Sequence, residues 1–360
     1  MKNTIPALTL GVDLGDRKHA VCVLGQDAII LKEFSVPNTA DAIERLAADY
    51  PRARVAMEVG THSPWVSRRL TAGGMEVFVA NPRKLRAISA NERKCDQSDA
   101  RMLARLARVD PALLHPVVHG SEAAQRDLLS IKLRDTLVRQ RVQLVCTIRA
   151  SLKALGLRLA SPSGGAFTAK ARPVLAETPG LLVAVEPCLR VIDELSARIG
   201  ELDRAIATAI QTRHPQAQKL QQITGVGPIT SLSYVLTIED ARRFERARDV
   251  GAYLGLVPRR DQSGAVDKQL AISKSGNRHL RSLLVQSAHY ILGAFGPDCD
   301  LRRQGLKLAA RGGKAAKKRA IIAIARKLAV LMLALWKSQA DYQPLRAAPA
   351  SAGEKEPLPA

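Results

Sequence analysis

The chain has 360 residues, 46% of them apolar, which is enough for two or three domains with cores of their own. Its 55 Lys and Arg against 33 Asp and Glu give a formal charge of +22, a balance that attracts polyanions and disfavours a basic partner. Five scattered cysteines without a C-x-x-C pair exclude a disulfide framework and a structural zinc site, so an intracellular, cytoplasmic and reduced protein is expected.

No signal peptide fits the N-terminus, because the first apolar run is cut by Asp13. From Leu8 to Phe34 the β-rich runs LTLGVDLG, AVCVLG and AIILKEF follow one another through tight polar links, the pattern of an antiparallel meander. Thr39–Tyr50 then reads as a helix, ARVAMEV as a buried strand, Ser63–Ala72 as a helix and MEVFVA as another strand. Three antiparallel strands followed by alternating helices and strands is the order of a ribonuclease H-like fold.

Four carboxylates stand out in this half. Asp13 closes the first strand, Glu58 closes VAMEV, and Asp96 and Asp99 share the first turn of the helix predicted in KCDQSDARMLARLA. An acid at the end of a buried strand is costly unless paired or bound to metal. Hard oxygen donors suit Mg²⁺, which is held by a few carboxylates together with substrate phosphates. For Asp96 and Asp99 a capping-box reading competes, since D-x-x-D before an apolar-periodic run also favours a helix start. Arg93 and Lys94 beside them are solvated charges by default.

Residues from Ser121 to Gln222 carry heptad-like apolar spacing in LLSIKLRDTLVRQRVQLVCTIRASLKAL and in LRVIDELSARIGELDRAIATAI, two helices of coiled-coil character. Pairing within one chain and dimerisation between chains are both compatible with this pattern. Between them SPSGGAF and the prolines at 173, 179 and 187 interrupt the periodicity, so an irregular insert is expected.

ITGVGPITSLSYVLTI next places Gly225 and Gly227 around a turn and resembles the hairpin of helix-hairpin-helix modules, whose free N–H groups accept phosphate. A loop, PRRDQSGAV, leads to a helix over SKSGNRHLRSLLVQSAHYIL. In this loop Ser263 has Arg259 and Arg260 before it and Lys274, Arg278 and Arg281 after it, a cationic setting suited to phosphorus chemistry and expected to contact nucleic-acid phosphate. Residues 241–340 hold 21 Lys and Arg against 6 Asp and Glu, so most of the net charge lies here. The late run AIIAIARKLAVLMLALW has Arg326 and Lys327 near its middle, so a buried amphipathic helix is expected and no membrane span. The tail after Tyr342 has the composition of a disordered segment. The expected domains are thus 1–115, an α/β ribonuclease H-fold domain; 116–222, coiled-coil helices; 223–342, a mostly helical domain bearing the serine; and 343–360, the tail.

VDLGDRKH through MEVGTHSPW, the stretch VANPRKLRAISANERKCDQSDARMLARLA, and the later AYLGLVPRRDQSG and SKSGNRHLRSLLVQSA resemble the DEDD transposases of bacterial insertion sequences, the IS-one-ten family, which also includes pilin-gene invertases. The likeness runs from about Thr9 to about Lys337. It implies a RuvC-like domain with catalytic, Mg²⁺-binding acids at Asp13, Glu58, Asp96 and Asp99, and a nucleophilic serine at Ser263. It further implies a homo-oligomer, dimer or tetramer, with a composite site, acting on element-end and target DNA under the guidance of a structured non-coding RNA. The chain departs from the family pattern at Val59-Gly60-Thr61-His62-Ser63 and at Cys95, where a threonine is usual. The expected activity is transposition through a phosphoserine intermediate. The rival is a Holliday-junction-type endonuclease that uses the acids with water and leaves Ser263 idle.

Overall fold

The computed structural model describes residues 6–85, 95–160, 166–263 and 266–345, which divide into two compact units at Gly120/Ser121. Arg93, Lys94 and most of the tail after Tyr342 lie outside the described residues.

In the first unit β1 (Thr9–Asp13), β2 (Lys18–Leu24) and β3 (Ile30–Pro37) form the expected antiparallel meander. α1 (Ala40–Asp49) and α2 (Ser63–Ala72) alternate with β4 (Arg54–Glu58) and β5 (Glu76–Ala80), which run parallel to β1. The sheet order β3-β2-β1-β4-β5, with β2 alone reversed in direction against its neighbours, is the ribonuclease H-like arrangement. β1 and β4 are apolar along almost their whole length because both faces are covered. Leu10, Val12, Val55 and Met57 pack towards α1 and α2. The alternate side chains, Ala20, Cys22 and Ala56 among them, face α3 (Asp96–Val109).

That second face is built on very close approach. A Cβ at Gly11 would lie 1.9 Å from the Ala100 carbonyl oxygen, so β1 and α3 touch backbone to backbone, and the small Ala100 and Ala104 permit it. The far end of the helix is clamped: Arg108 Nη1 donates to Thr9 Oγ1 and to the Pro6 carbonyl, each at 3.1 Å, and Arg54 Nη1 donates to the Ala107 carbonyl at 3.1 Å. Helix α3 therefore runs opposite to β1 and β4, and its first turn lies over their C-terminal ends.

In the second unit α4 (Glu122–Ala154) and α6 (Pro179–Thr212) pair antiparallel within the chain, one of the two pairings the heptads allowed. Asp127 accepts from Arg213 and His214, Arg134 pairs with Asp203, and Arg141 Nη1 donates to Ser196 Oγ at 3.1 Å. At the far end Ile148 and Leu152 meet Leu189, Ile192 and α5 (Phe167–Ala176). The prolines do not break the helices as expected. Pro179 opens α6 in its first turn, where a missing N–H costs nothing, and Pro173 and Pro187 lie inside α5 and α6. Each interior proline forfeits one backbone hydrogen bond. The cluster of Phe167, Leu175, Leu181, Val185 and Leu189 around them supplies the packing that offsets it.

The base of the α4–α6 pair merges with one large core. Ile131, Ile206 and Ile210 join residues of α7 (Pro215–Leu220), α8 (Pro228–Ile238), α10 (Arg278–Leu292), α11 (Asp300–Ala309) and α12 (Gly313–Ser338), with the short α9 (Val250–Tyr253) at its edge. Helix α12 is the buried amphipathic helix expected from its charges, and Tyr234 donates to the Ala329 carbonyl at 2.7 Å to tie α8 against it. Among the described residues no helix is long and apolar enough to cross a membrane.

Candidate active site

Asp13 and Glu58 are the last residues of adjacent parallel strands, one step beyond the Val12–Met57 pair. Side chains alternate along a strand, so Asp13 shares the face of Gly11, and Glu58 that of Ala56. Both acids therefore belong to the face that α3 covers. On the helix, the buried stripe Ala100, Leu103, Ala104 and Ala107 is continued towards the N-terminus by Asp99 and Asp96. Asp96 precedes Ala100 by about 6 Å of helix, and Asp13 lies about 7 Å of strand beyond Gly11. All four acids thus lie towards the C-terminal ends of β1 and β4, on the face of the sheet that α3 covers.

Their environments differ. Asp13 and Glu58 are half-buried, Asp96 is exposed, and Asp99 is only 7% exposed. No hydrogen-bond or ion-pair partner reaches the Asp99 carboxylate among the described residues. The capping reading of this pair is displaced. Cys95 is the N-cap residue, and Ser98 Oγ accepts from the Cys95 N–H at 3.4 Å and donates to the Cys95 carbonyl at 2.9 Å, leaving both aspartates outside the cap.

The donor set fits a hard divalent cation in its chemistry. Among the described residues no three His, Cys, Asp or Glu side chains stand close enough to enclose an ion by themselves. This is compatible with Mg²⁺, which keeps waters and is usually held by one or two carboxylates plus substrate phosphate.

Two loops that leave the strand ends are held by residues that no motif in the sequence marks. Trp65 Nε1 donates to His62 Nδ1 at 3.5 Å, so the proton of neutral His62 sits on Nε2, which faces Asp16 Oδ1 at 3.3 Å. This links the turn after Asp13 to the turn after Glu58. Ser63 Oγ accepts from the Gly60 N–H at 3.0 Å and lies 2.8 Å from His119 Nε2, while burial, with Arg68 nearby, pushes the His119 pKa down. The only signal in the sequence is the run Gly60-Thr61-His62-Ser63 itself, which departs from the family pattern.

The serine segment is not the loop expected. Residues Pro258–Ser263 and Val266–Ile272 form an antiparallel hairpin, β6 and β7, in which Ser263 closes β6 opposite Val266. The alternation DKQLAI and the S-G turn signal account for it. The hairpin tip and the Ser263 side chain lie outside the described residues. Arg259 and Arg260 on β6, Lys274 after β7 and Arg278 at the start of α10 are all exposed. At the hairpin base two backbones cross: a Cβ on Gly255 would lie 2.4 Å from Ser275 backbone atoms, and one on Gly276 would lie 2.1 Å from the Tyr253 carbonyl oxygen.

Arg281 needs correction as a phosphate contact. It is 9% exposed, and its Nη1 donates to the Leu254 carbonyl at 3.0 Å and to the Ser275 carbonyl at 2.7 Å, so it ties the same crossing together. Arg281→Ala would strand two buried carbonyls, at about 1–3 kcal/mol each for the charge-assisted bonds removed. A thermal melt should show a lowered midpoint, whereas a surface phosphate contact would leave it unchanged.

A family model described as a DEDD transposase of the IS110 type matches residues 10–156, and one described as the transposase IS116/IS110/IS902 family matches residues 217–300. The transposase for insertion sequence element IS1111A of Coxiella burnetii is 28% identical over 342 residues, covering 93% of this chain and 91% of that protein. The transposase for insertion sequence element IS1328 of Yersinia enterocolitica is 30% identical over 290 residues, covering 79% and 84%. The pilin gene-inverting protein of Moraxella lacunata is 34% identical over 128 residues, covering 35% of this chain and 38% of its own. Among solved structures, Thermus thermophilus RuvC aligns with a TM-score of 0.23 at 14% identity, covering 29% of this chain and 96% of that one.

Proposed function

The chain belongs to the IS116/IS110/IS902 family of transposases, enzymes that cut and rejoin DNA, and from that premise we propose that its recombination proceeds through a phosphoserine intermediate. In this reading Asp13, Glu58, Asp96 and Asp99 hold Mg²⁺. The bound metal would neutralise negative charge on the scissile phosphate and on the departing oxygen. Ser263 Oγ forms a bond to phosphorus as the bond from phosphorus to the 3′ oxygen breaks. The 3′ oxygen leaves as a hydroxyl, and the serine proton passes to a base or water. A 3′ hydroxyl from the exchanged strand later attacks the same phosphorus, rejoins the DNA and restores the serine.

The observation that supports the metal part of this reading is the placement of Asp99 in the first turn of the helix that covers the face carrying the two strand-end acids, with no donor among the described residues paired to it. The exposed Arg259, Arg260, Lys274 and Arg278 around the hairpin would hold the DNA backbone close to the serine, where positive charge stabilises a phosphorane-like transition state. The resemblance adds that the enzyme works as a homo-oligomer and takes its sequence specificity from a guide RNA, so that base pairing rather than side chains selects the target.

The test is a denaturing gel of the full chain incubated with element-end DNA and Mg²⁺. A protein–DNA band that survives denaturant, and is absent in Ser263→Ala, is the expected result. Unlinked 5′-phosphate ends with full activity in Ser263→Ala would instead make the chain a hydrolytic nuclease.

A further inference from the structure

Between Leu301 and Ala340 the sequence has eleven Lys or Arg and no Asp or Glu. The fold concentrates six of these cations at one corner. Lys307 lies near the end of α11, Arg311 in the connecting turn, and Lys314, Lys317, Lys318 and Arg319 in the first two turns of α12. All six are exposed, and among the described residues none has an ion pair or a hydrogen-bonded side chain. Arg302 and Arg303, one turn earlier, are by contrast engaged, the first on the Ile291 and Gly293 carbonyls and the second on Asp298.

Within the fold this arrangement is unfavourable on two counts. Lys314, Lys317 and Lys318 stand at i, i+3 and i+4, so like charges share one helix face. Lys314 also sits in the first turn, where a cation opposes the helix dipole. Nothing among the described residues offsets these terms, and an external polyanion would.

We propose that the α11–α12 corner is a second nucleic-acid contact surface, additional to the serine hairpin, which grips the phosphodiester backbone of a duplex without reading its bases. The proposal rests on the reading of the chain as a nucleic-acid enzyme. Its test, however, measures binding alone, so a protein that forms no serine adduct could still possess this surface, and one that forms the adduct could lack it.

The experiment follows binding of the full chain to a labelled DNA duplex and, separately, an RNA duplex as salt is raised. Replacing Lys314, Lys317 and Lys318 together with Gln should reduce the slope of log K against log salt by about 2.7, since each phosphate no longer neutralised removes roughly 0.9. Between about 50 and 200 mM salt the unaltered protein then loses about 40-fold more affinity than the variant. The arm in which the slope falls identifies the duplex gripped. The three Lys→Arg changes should retain the full slope, and the melting midpoint of the Gln variant should be equal or higher, since repulsion is relieved. If the triple variant does not fold, each single Lys→Gln change should lower the slope by about 0.9. An unchanged slope in both arms overturns the proposal. So does an equal fall on replacing Lys132, Lys170 and Arg204, exposed cations of the coiled-coil region, with Gln.

Discussion

Asp99→Asn should lower strand cleavage by at least about 10²-fold, the scale on which removing one electrostatic group of an active site acts, while leaving the fold intact or more stable. Asp99 is the most buried of the four acids, and no donor among the described residues neutralises it. Asparagine keeps its shape and removes the charge. Asp13 and Glu58 lie at the strand ends and Asp96 in the same helical turn, so in the proposed site a bound cation would draw these acids together. Two measurements separate this from a structural role. Added Mg²⁺ should raise the melting midpoint of the wild-type protein, because a ligand bound only by the native state stabilises it. That shift should shrink in Asp99→Asn. A variant that cleaves normally, or one whose midpoint collapses without Mg²⁺, would remove Asp99 from the metal site and make it a packing residue.

The second large effect is expected at Gly276, and it is one of stability. Gly276 has φ +68°, and an added Cβ would lie 2.1 Å from the Tyr253 carbonyl oxygen, a backbone atom with no room to turn aside. Gly255, at φ +67°, makes the reciprocal approach to Ser275. Around this crossing the Lys274 N–H donates to the Gly255 carbonyl at 3.1 Å, the Ser273 N–H to the Val257 carbonyl at 2.9 Å, and Arg281 binds carbonyls from both segments. Gly276→Ala combines left-handed strain of about 1–2 kcal/mol with overpacking of about 1–3 kcal/mol. A loss of about 2–5 kcal/mol would lower the melting midpoint of a unit this size by roughly 5–15 °C. Calorimetry of the second unit's transition within the full chain reads it. Gly180→Ala, in open space inside α6, serves as the control and should be neutral or stabilising. Equal midpoints for Gly276→Ala and wild type would mean that the two backbones can separate without cost. Because the crossing sets the base of the β6–β7 hairpin, loss of the covalent DNA adduct should accompany the loss of stability.

The elements of the first unit were legible from periodicity alone. The runs over 8–34 fold as the meander, Ser63–Ala72 is helical over those same residues, and the acids fall at strand ends and in a first helical turn. Hydrophobic alternation is a local property, and a buried parallel strand declares itself by an unbroken apolar run. The coiled-coil spacing likewise announced two long helices, yet the heptads alone did not choose between pairing inside the chain and between chains. The ion pairs of Asp127 with Arg213 and Arg134 with Asp203, separated by more than sixty residues, are what the fold adds to the pairing inside the chain. Prolines 173 and 187 misled for a related reason: their cost is local and visible, whereas the packing around Leu175 and Leu189 that offsets it is not.

What the sequence by itself determined is the donor chemistry, four hard carboxylates and one serine among cations, together with the strand and helix that carry each acid. What only the tertiary structure decided is which groups are already engaged within the fold. Arg281 looks like its neighbours in the chain but faces two carbonyls, and the cap that Asp96 or Asp99 could have formed belongs to Cys95 and Ser98. The physical reason is range: the identity of a side chain sets what it can bind, but burial and competing partners come from residues far along the chain, and these fix whether its charge is left over for a substrate.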